Sequence, residues 1–548
     1  MSTNSILINY IGYPNELFNL SPDNGLATLA ACLMEKGHKT TILDYSTVDT
    51  IKRLFPYQYE DKMKSLVGKI MLQKKQGIEP DKSDLDSFYK LNEEINEYQK
   101  QKVLEIAEEI NQFISKNRIN FVGFKLWTGA GFDGSMIIAK EIKRKNPKIP
   151  IFAGGPHIDW FNEMVFDVTD VFDALAYGEG EETIVGLAEY VEQKAKLCDI
   201  PNLIYRENGK ITTTLMKRIE DLNKIPAPNY DEDVYPAMGN NQKIKIALIE
   251  ESRGCPNHCS FCIHFVKSGR KYRTMDPKIV VDRIEVQTNK YGMKAFRFAG
   301  SNPPHWLAKD ISDEILKRKL KIIFSAFAHI RGIKKDYFEA LRRSGCCALG
   351  FGIESGSSKI LRESMNKRFT KEHIKETIKM CKESGISAIA SFIVPAPLET
   401  EETKKETFDL IVEAKPDSTV VFFPGIVLGT EWEKNEKKYG FEINDKKEVF
   451  KKMMTYKENS LAPSVLFLPF SYYNLNGKSF KVIVEETAEF VKDLKKNNIV
   501  TQIFDQIFLI ARILNENVQE FQNKTIGYLR SGSYEEIKRI VGKVNNMQ

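Results

Sequence analysis

Short apolar runs alternate with stretches of helical periodicity along most of this chain. In the first third, residues 6–9, 40–44, 121–126, 151–153 and 173–176 read as strands. Residues 24–36 carry apolar positions at helical spacing and stop at Gly37, a helix-ending signal. A second helix is predicted from the glycine-rich turn at 128–131 to Lys145. Strands alternating with helices at these intervals predict a doubly wound α/β domain with a parallel sheet over residues 1–200. Ligands of such sheets lie beyond the carboxyl ends of the strands. The candidate binding residues are therefore Trp127, Thr128, Gly129, Gly154, Gly155, Gly178 and Glu179. Glycines there let the backbone approach a bulky ligand. An insertion at about 51–116 is rich in Lys, Glu and Gln and helical in period, and is expected to pack over one edge of the domain.

Residues 201–243 read as a proline-punctuated linker. Six further strand-like runs follow, at 244–249, 295–298, 321–325, 348–353, 388–394 and 419–423, each separated by a helical stretch. Six βα units predict a partial (β/α)6 barrel of TIM type over 244–450, with reacting groups at the carboxyl ends of its strands. Those ends carry a cysteine-rich loop, then Gly300, Ser301 and Asn302, then His329 and Arg331, then Glu354 and Ser355. From 451 the alternation stops. Residues 466–470 read as an apolar loop or short strand, and 485–496 and 503–522 as amphipathic helices, giving a C-terminal helical cap over 451–548. Tyr472 and Tyr473 are expected to pack.

Composition changes this picture little. A chain of 548 residues exceeds one ordinary core. Its 42% hydrophobic and 28% charged residues are those of a soluble globular protein. The net charge of +6, 80 basic against 74 acidic residues, is weak evidence for a nucleic-acid partner, and none is expected. No run approaches the roughly 20 apolar residues of a membrane span, and the first residues lack a signal-peptide pattern. Eight cysteines fit a reducing, cytoplasmic setting.

Cys255, Cys259 and Cys262 form a C-x3-C-x2-C triplet on the loop after the first barrel strand. Three thiolates on one loop can hold three irons of a [4Fe–4S] cluster and leave the fourth open to a substrate. Structural zinc wants four ligands, usually as two separated pairs. His258 and His264 are the only nearby residues that could complete such a set. Cys32 and Cys381 lie in amphipathic helical patterns and read as small buried hydrophobes, and Cys346 and Cys347 as core residues before a strand.

The triplet, with Phe261 before its last cysteine, resembles the radical S-adenosylmethionine (SAM) superfamily. That resemblance implies a [4Fe–4S] cluster that chelates SAM, with Phe261 near the adenine and Glu354, in the run 350–356, as a SAM-contacting carboxylate. Where the superfamily usually carries Gly-Gly-Glu to hold the SAM amino group, this chain has Gly300, Ser301 and Asn302, without a carboxylate. The first domain resembles the Rossmann-like cobalamin-binding domains that precede many such barrels, through residues 26–44, the Gly154–Gly155 pair and the run 178–181. It lacks the D-x-H-x-x-G motif that gives cobalt a histidine: none of the seven histidines has Asp two residues before it. His157 is expected to be a turn histidine rather than a cobalt neighbour.

Together these resemblances imply a cobalamin-dependent radical SAM methyltransferase that moves a methyl group from SAM, through methylcobalamin, to carbon or phosphorus. They point to the branch with phosphinate P-methyltransferases and a tryptophan C-methyltransferase. The implied cofactors are the [4Fe–4S] cluster, SAM and cobalamin. The implied partners are a small-molecule or peptide substrate and an electron donor such as flavodoxin or ferredoxin, with no nucleic acid or membrane. The alternatives are a cobalamin-binding radical SAM cyclase, isomerase or epimerase without methyl transfer, and a non-catalytic Fe–S scaffold. The sequence assigns no catalytic residue.

Overall fold

The computed structural model describes residues 2–75, 79–300, 303–456 and 471–547. Its first sheet has seven strands in the order β2-β1-β3-β4-β5-β6-β7. They are β1 (Asn4–Asn9), β2 (Lys39–Asp44), β3 (Phe121–Lys125), β4 (Ile151–Gly154), β5 (Ala174–Ala176), β6 (Leu203–Glu207) and β7 (Lys210–Thr213). The first five in chain order are the predicted strands and pair in parallel. β6 and β7 are antiparallel additions built from residues read as linker. Their signal is local: Asn208 and Gly209 both have positive φ, 51° and 78°, as a two-residue hairpin turn requires.

The insertion is helical, with helices Val48–Leu54, Glu60–Lys75 and Lys82–Asn117. The last is also the crossover into β3. Its Val103, Ile106, Ile110 and Ile114 recur at three- and four-residue steps and are buried in the same core as Ile138 and Ile142 of helix Ala130–Lys145.

The second sheet has six parallel strands in the order β15-β14-β13-β12-β11-β8. They are β8 (Ile246–Ile249), β11 (Ala295–Phe298), β12 (Ile323–Ala328), β13 (Cys346–Glu354), β14 (Ser387–Ile393) and β15 (Ser418–Phe422). A short antiparallel pair, β9 (Ser252–Arg253) with β10 (Arg273–Thr274), brackets the cysteine loop. Side chains alternate across the sheet. Ala247, Ile249, Phe296 and Phe324 meet the helices that connect the strands. Ile246 and Ala295, on the other face, pack with Leu509 and Ile510 of helix Asp505–Leu514.

That helix belongs to the C-terminal part, which holds helices Phe480–Lys496, Asp505–Leu514, Val518–Arg530 and Tyr534–Asn545. The single helix expected over 503–522 is two helices. Asn515 ends the first in the left-handed region at φ 52°, and the Asn517 side chain caps the next through the amides of Gln519 and Glu520. Asp505 sits on the sheet, taking two hydrogen bonds from Arg297 at 2.7 and 2.9 Å and one from Ser325 at 2.7 Å. Tyr473 is buried against Phe441 and Phe480, as packing predicts. The expected apolar segment 466–470 lies outside the described residues. Cys32, Cys346 and Cys381 are buried in the core, and no disulfide forms among the described residues.

Candidate active site

The cysteine loop is held from several directions. Gly254 precedes Cys255 with φ 83°, and a Cβ there would lie 2.1 Å from the Lys271 carbonyl, so only glycine fits. The Cys255 amide donates to the Gly269 carbonyl at 3.1 Å, and Ser260 N donates to Met365 O at 3.1 Å. Trp432 N donates to Ser260 O at 3.0 Å, and Asn366 donates to His258 O at 2.8 Å. The three cysteines are half-buried on this frame. Burial pushes the Cys262 thiol up to about 11 and raises the Cys259 thiol, so binding iron through thiolates releases protons. Among the described residues, no three His, Cys, Asp or Glu side chains converge as around one ion. A cubane asks for something different, because its thiolates bind separate irons.

The fourth barrel strand reaches this loop through Lys367, a residue that the sequence reading missed. Glu354, at the end of β13 with φ 74°, is buried and accepts a hydrogen bond from Lys367 at 2.9 Å. The Lys367 ammonium also donates to Gly352 O at 2.6 Å and lies 5.7 Å from the ring centres of both Phe261 and Phe369. Glu354 and Phe261, predicted separately, therefore meet around one cation. Ser355 departs from its expected role. It is fully buried, its hydroxyl shared with Thr407 at 3.1 Å and accepting from Ser357 N at 3.1 Å, which commits it to the turn.

Gly300 ends the second barrel strand, and its amide donates to the Glu251 carboxylate at 3.1 Å. A Cβ on Gly300 would sit 2.4 Å from both Glu251 Oε1 and Ser252 Oγ. Ser301 and Asn302 lie outside the described residues. Glu251 is a second residue that the sequence reading missed. It is buried beside Gly300, and burial raises its carboxyl to about 8. A lone carboxylate on a strand end gives no signal in sequence without its neighbour.

The carboxyl ends of the first sheet open into a cavity of about 1140 Å³. That exceeds the roughly 300–1,000 Å³ of ordinary small-molecule sites and suits a bulky ligand. Trp127, Thr128, Gly129, Gly154, Gly155, Gly178 and Glu179 all line it, as expected from the strand ends. Trp127 is fixed by donating from Nε1 to Asn9 at 2.8 Å, with the Lys125 ammonium 4.7 Å from its ring. Gly129 is less free than predicted: its amide donates to Met454 O at 2.8 Å. The opposite wall comes from the barrel, through Leu248, Glu250, Arg253 and Ala299. No histidine is among the described lining residues. His157 is buried within the domain instead, its ring stacked on Phe132 at 4.4 Å. Burial lowers it to about 3 and keeps it neutral.

Buried ion pairs join the two sites. Glu179 accepts two hydrogen bonds from Arg273 at 2.9 and 2.6 Å and one from Ile219 N at 2.8 Å, with Arg253 at 3.2 Å. Arg253 also pairs with Glu181 and Glu250. Arg253 and Arg273 are the β9 and β10 residues flanking the cysteine loop, so the strand-end loop of the first domain grips the loop of the second on both sides. A further pair, Lys267 with Asp159 at 2.6 Å, lies just beyond the loop. Burial by itself raises the Glu179 carboxyl, but the Arg273 hydrogen bonds and the Arg253 charge overcome it and hold it below its ordinary value.

Residues 94–188 match the B12 binding domain family, and residues 249–411 match the Radical SAM superfamily. The chain carries a B12-binding domain followed by a radical SAM domain. An uncharacterized methyltransferase of Pyrococcus horikoshii is 30% identical over 307 residues, 55% of this chain and 65% of that protein. The anaerobic magnesium-protoporphyrin IX monomethyl ester cyclase of Rubrivivax gelatinosus is 29% identical over 358 residues, 63% of this chain and 62% of the cyclase. The chain thus spans a little under two thirds of these relatives. Among solved structures, the radical S-adenosylmethionine methyltransferase TsrM of Kitasatospora setae, with cobalamin and a [4Fe-4S] cluster bound, matches with a TM-score of 0.65 at 15% identity over 99% of both chains. That likeness establishes a shared fold from end to end. The radical SAM match begins at the last residue of β8 and contains the cysteine loop. The B12-binding match covers β3, β4 and β5, whose ends line the cavity.

Proposed function

We propose that this protein is a cobalamin-dependent radical SAM methyltransferase acting on a small-molecule or peptide substrate. The observation that carries this reading is the cavity walled on one side by the B12-binding strand ends and on the other by the radical SAM domain, next to the cysteine loop. Cys255, Cys259 and Cys262 would hold the [4Fe–4S] cluster. The backbone at Gly154, Gly155 and Gly178 and the Trp127 ring would bed the cobalamin. When bound, the two groups supply a methyl carrier and an electron for cleaving SAM.

The chain's own residues contribute orientation and exclusion of water. Phe261 offers an aromatic face beside the thiols, and Lys367 holds Glu354 at the end of β13. Glu354 would reach the SAM methionine moiety, balanced by Lys367. Glu251 fixes the Gly300 backbone at the neighbouring strand end. The Glu179–Arg273 pair keeps the two sites in register. No helix among the described residues is long and apolar enough to cross a membrane. A low-potential donor of the flavodoxin or ferredoxin kind, in a reducing cytoplasm, completes the reading.

The test is anaerobic turnover with methyl-labelled SAM, a strong reductant and candidate substrates. Label in the product, with S-adenosylhomocysteine near one per product, supports the reading. Accompanying 5′-deoxyadenosine marks a radical step, and its absence marks direct attack on the methyl carrier. Turnover that leaves the label out of the product rejects methyl transfer in favour of a cyclase-type reaction.

A further inference from the structure

The turn after helix Ser358–Glu363 runs along the cysteine loop and brings a cation to it. Met365 O accepts from Ser260 N at 3.1 Å, and the Asn366 side chain donates to His258 O at 2.8 Å. Two successive residues thus grip the loop on either side of Cys259. Lys367 comes next. Its side chain is 9% exposed, as is that of Glu354, its hydrogen-bond partner at 2.9 Å. The ammonium lies 5.7 Å from the ring centre of Phe261, the sequence neighbour of Cys262. Burial raises the Cys259 thiol, and the Lys367 charge opposes that rise by more than the Glu354 charge adds to it. The other cations flanking the loop, Arg253 and Arg273, are matched by Glu179, Glu181 and Glu250 and bring no net positive charge.

The potential of an iron–sulfur cluster follows its net charge, its hydrogen bonds and its exposure to solvent. Reduction from [4Fe–4S]2+ to [4Fe–4S]+ takes one electron from a low-potential one-electron donor. The cluster gains one negative charge, and no bond forms or breaks. A cation held beside the thiolates in a partly desolvated site favours the more negative form. We propose that Lys367 sets the cluster's reduction potential, its ammonium stabilising the reduced cluster while the Glu354 carboxylate partly offsets it. This rests on the cluster reading above and gives Lys367 a role beyond holding Glu354. It also explains why the turn that carries the cation is bonded to the cluster loop itself, which fixes the distance between charge and thiolates.

The test is a redox titration of full-length protein reconstituted with iron and sulfide, without SAM, read from the electron paramagnetic resonance signal of the reduced cluster. Lys367→Met should hold the added electron about tenfold less tightly, a downward shift of about 59 mV for a one-electron couple. Glu354→Gln should shift the potential upward, and Lys367→Arg should keep it near the wild-type value. Opposite signs for the two partners are the signature of charge, because damage to the loop would not give them. The double variant Lys367→Met with Glu354→Gln leaves no unpaired buried charge and should lie below the wild type. Iron and sulfide contents near wild type establish that each variant is loaded. A potential at or above the wild-type value in the loaded double variant overturns the proposal, and so does a downward shift in Glu354→Gln. Wild-type protein that takes up no cluster rejects the cluster reading itself.

Discussion

Replacing Glu179 by Gln removes one negative charge from between two guanidinium groups and keeps the side chain's shape. In the folded protein the carboxylate accepts from Arg273 at 2.9 and 2.6 Å and from Ile219 N at 2.8 Å. In the variant an amide N–H must face one of these donors. Each charge-assisted bond is worth about 1.5–3 kcal/mol, and removing one partner of a buried pair costs about 3–5 kcal/mol. The loss falls on β9 and β10, which bracket the cysteine loop. A chain of several domains has no single unfolding free energy, so local opening is the quantity to measure. Amide hydrogen exchange over residues 250–275 should accelerate roughly a hundredfold or more, since about 1.4 kcal/mol is a factor of ten. The double variant Glu179→Gln with Arg273→Met should recover part of the protection, a coupling that independent sites would not show. The pH dependence has a fixed sign. The Glu179 carboxyl is held below its ordinary 4.5, so its stabilisation is full above that pH and is lost as pH falls through the lowered value. Unchanged exchange over 250–275 in folded Glu179→Gln protein would refute the view that this pair holds the loop.

Replacing Cys255, Cys259 and Cys262 together by Ala should remove iron and sulfide while the far-ultraviolet spectrum and cobalamin binding persist; full iron retention contradicts the assignment. Cob(II)alamin bound to the protein should show no electron paramagnetic resonance splitting from a protein nitrogen, and His157→Ala should leave the spectrum unchanged. A nitrogen triplet that vanishes in that variant would move His157 into the cavity. Glu251 is raised to about 8, so it folds protonated at neutral pH, and its contribution is undiminished below about 4.5 and declines as pH rises toward 8. Glu251→Gln keeps an acceptor for Gly300 N and should stabilise the cofactor-free protein above pH 8 by on the order of 3–5 kcal/mol, with no gain at pH 4.5. Identical melting-temperature profiles against pH would count against a buried acid there.

The six barrel strands were legible because each is a short apolar run bounded by helical periodicity, and the cysteine loop because its three ligands share one local segment. The strand-end glycines of the first domain followed from the rule that ligands sit beyond parallel strands. What escaped was long-range or depended on backbone angle. Lys367 reads as a solvated loop lysine until the fold brings it to Glu354 and Phe261, 13 and 106 positions away. Glu251 sits beside the triplet in sequence, but its partner Gly300 comes from the next strand. The β6–β7 hairpin was readable from Asn208 and Gly209, whose turn preference a linker assignment conceals. Glu179 lines the cavity, but its bond to Arg273 spans 94 residues, and no spacing rule reaches that far.

The central claim is most directly tested without knowing the substrate. Protein reconstituted with iron, sulfide and cobalamin is reduced anaerobically and given one equivalent of SAM labelled on its methyl group. The cobalamin is then extracted in the dark. The account predicts label on the cobalamin and an equivalent of S-adenosylhomocysteine. Intact cluster and bound, reduced cobalamin with no label transferred to it, and 5′-deoxyadenosine as the only SAM-derived nucleoside, would contradict it.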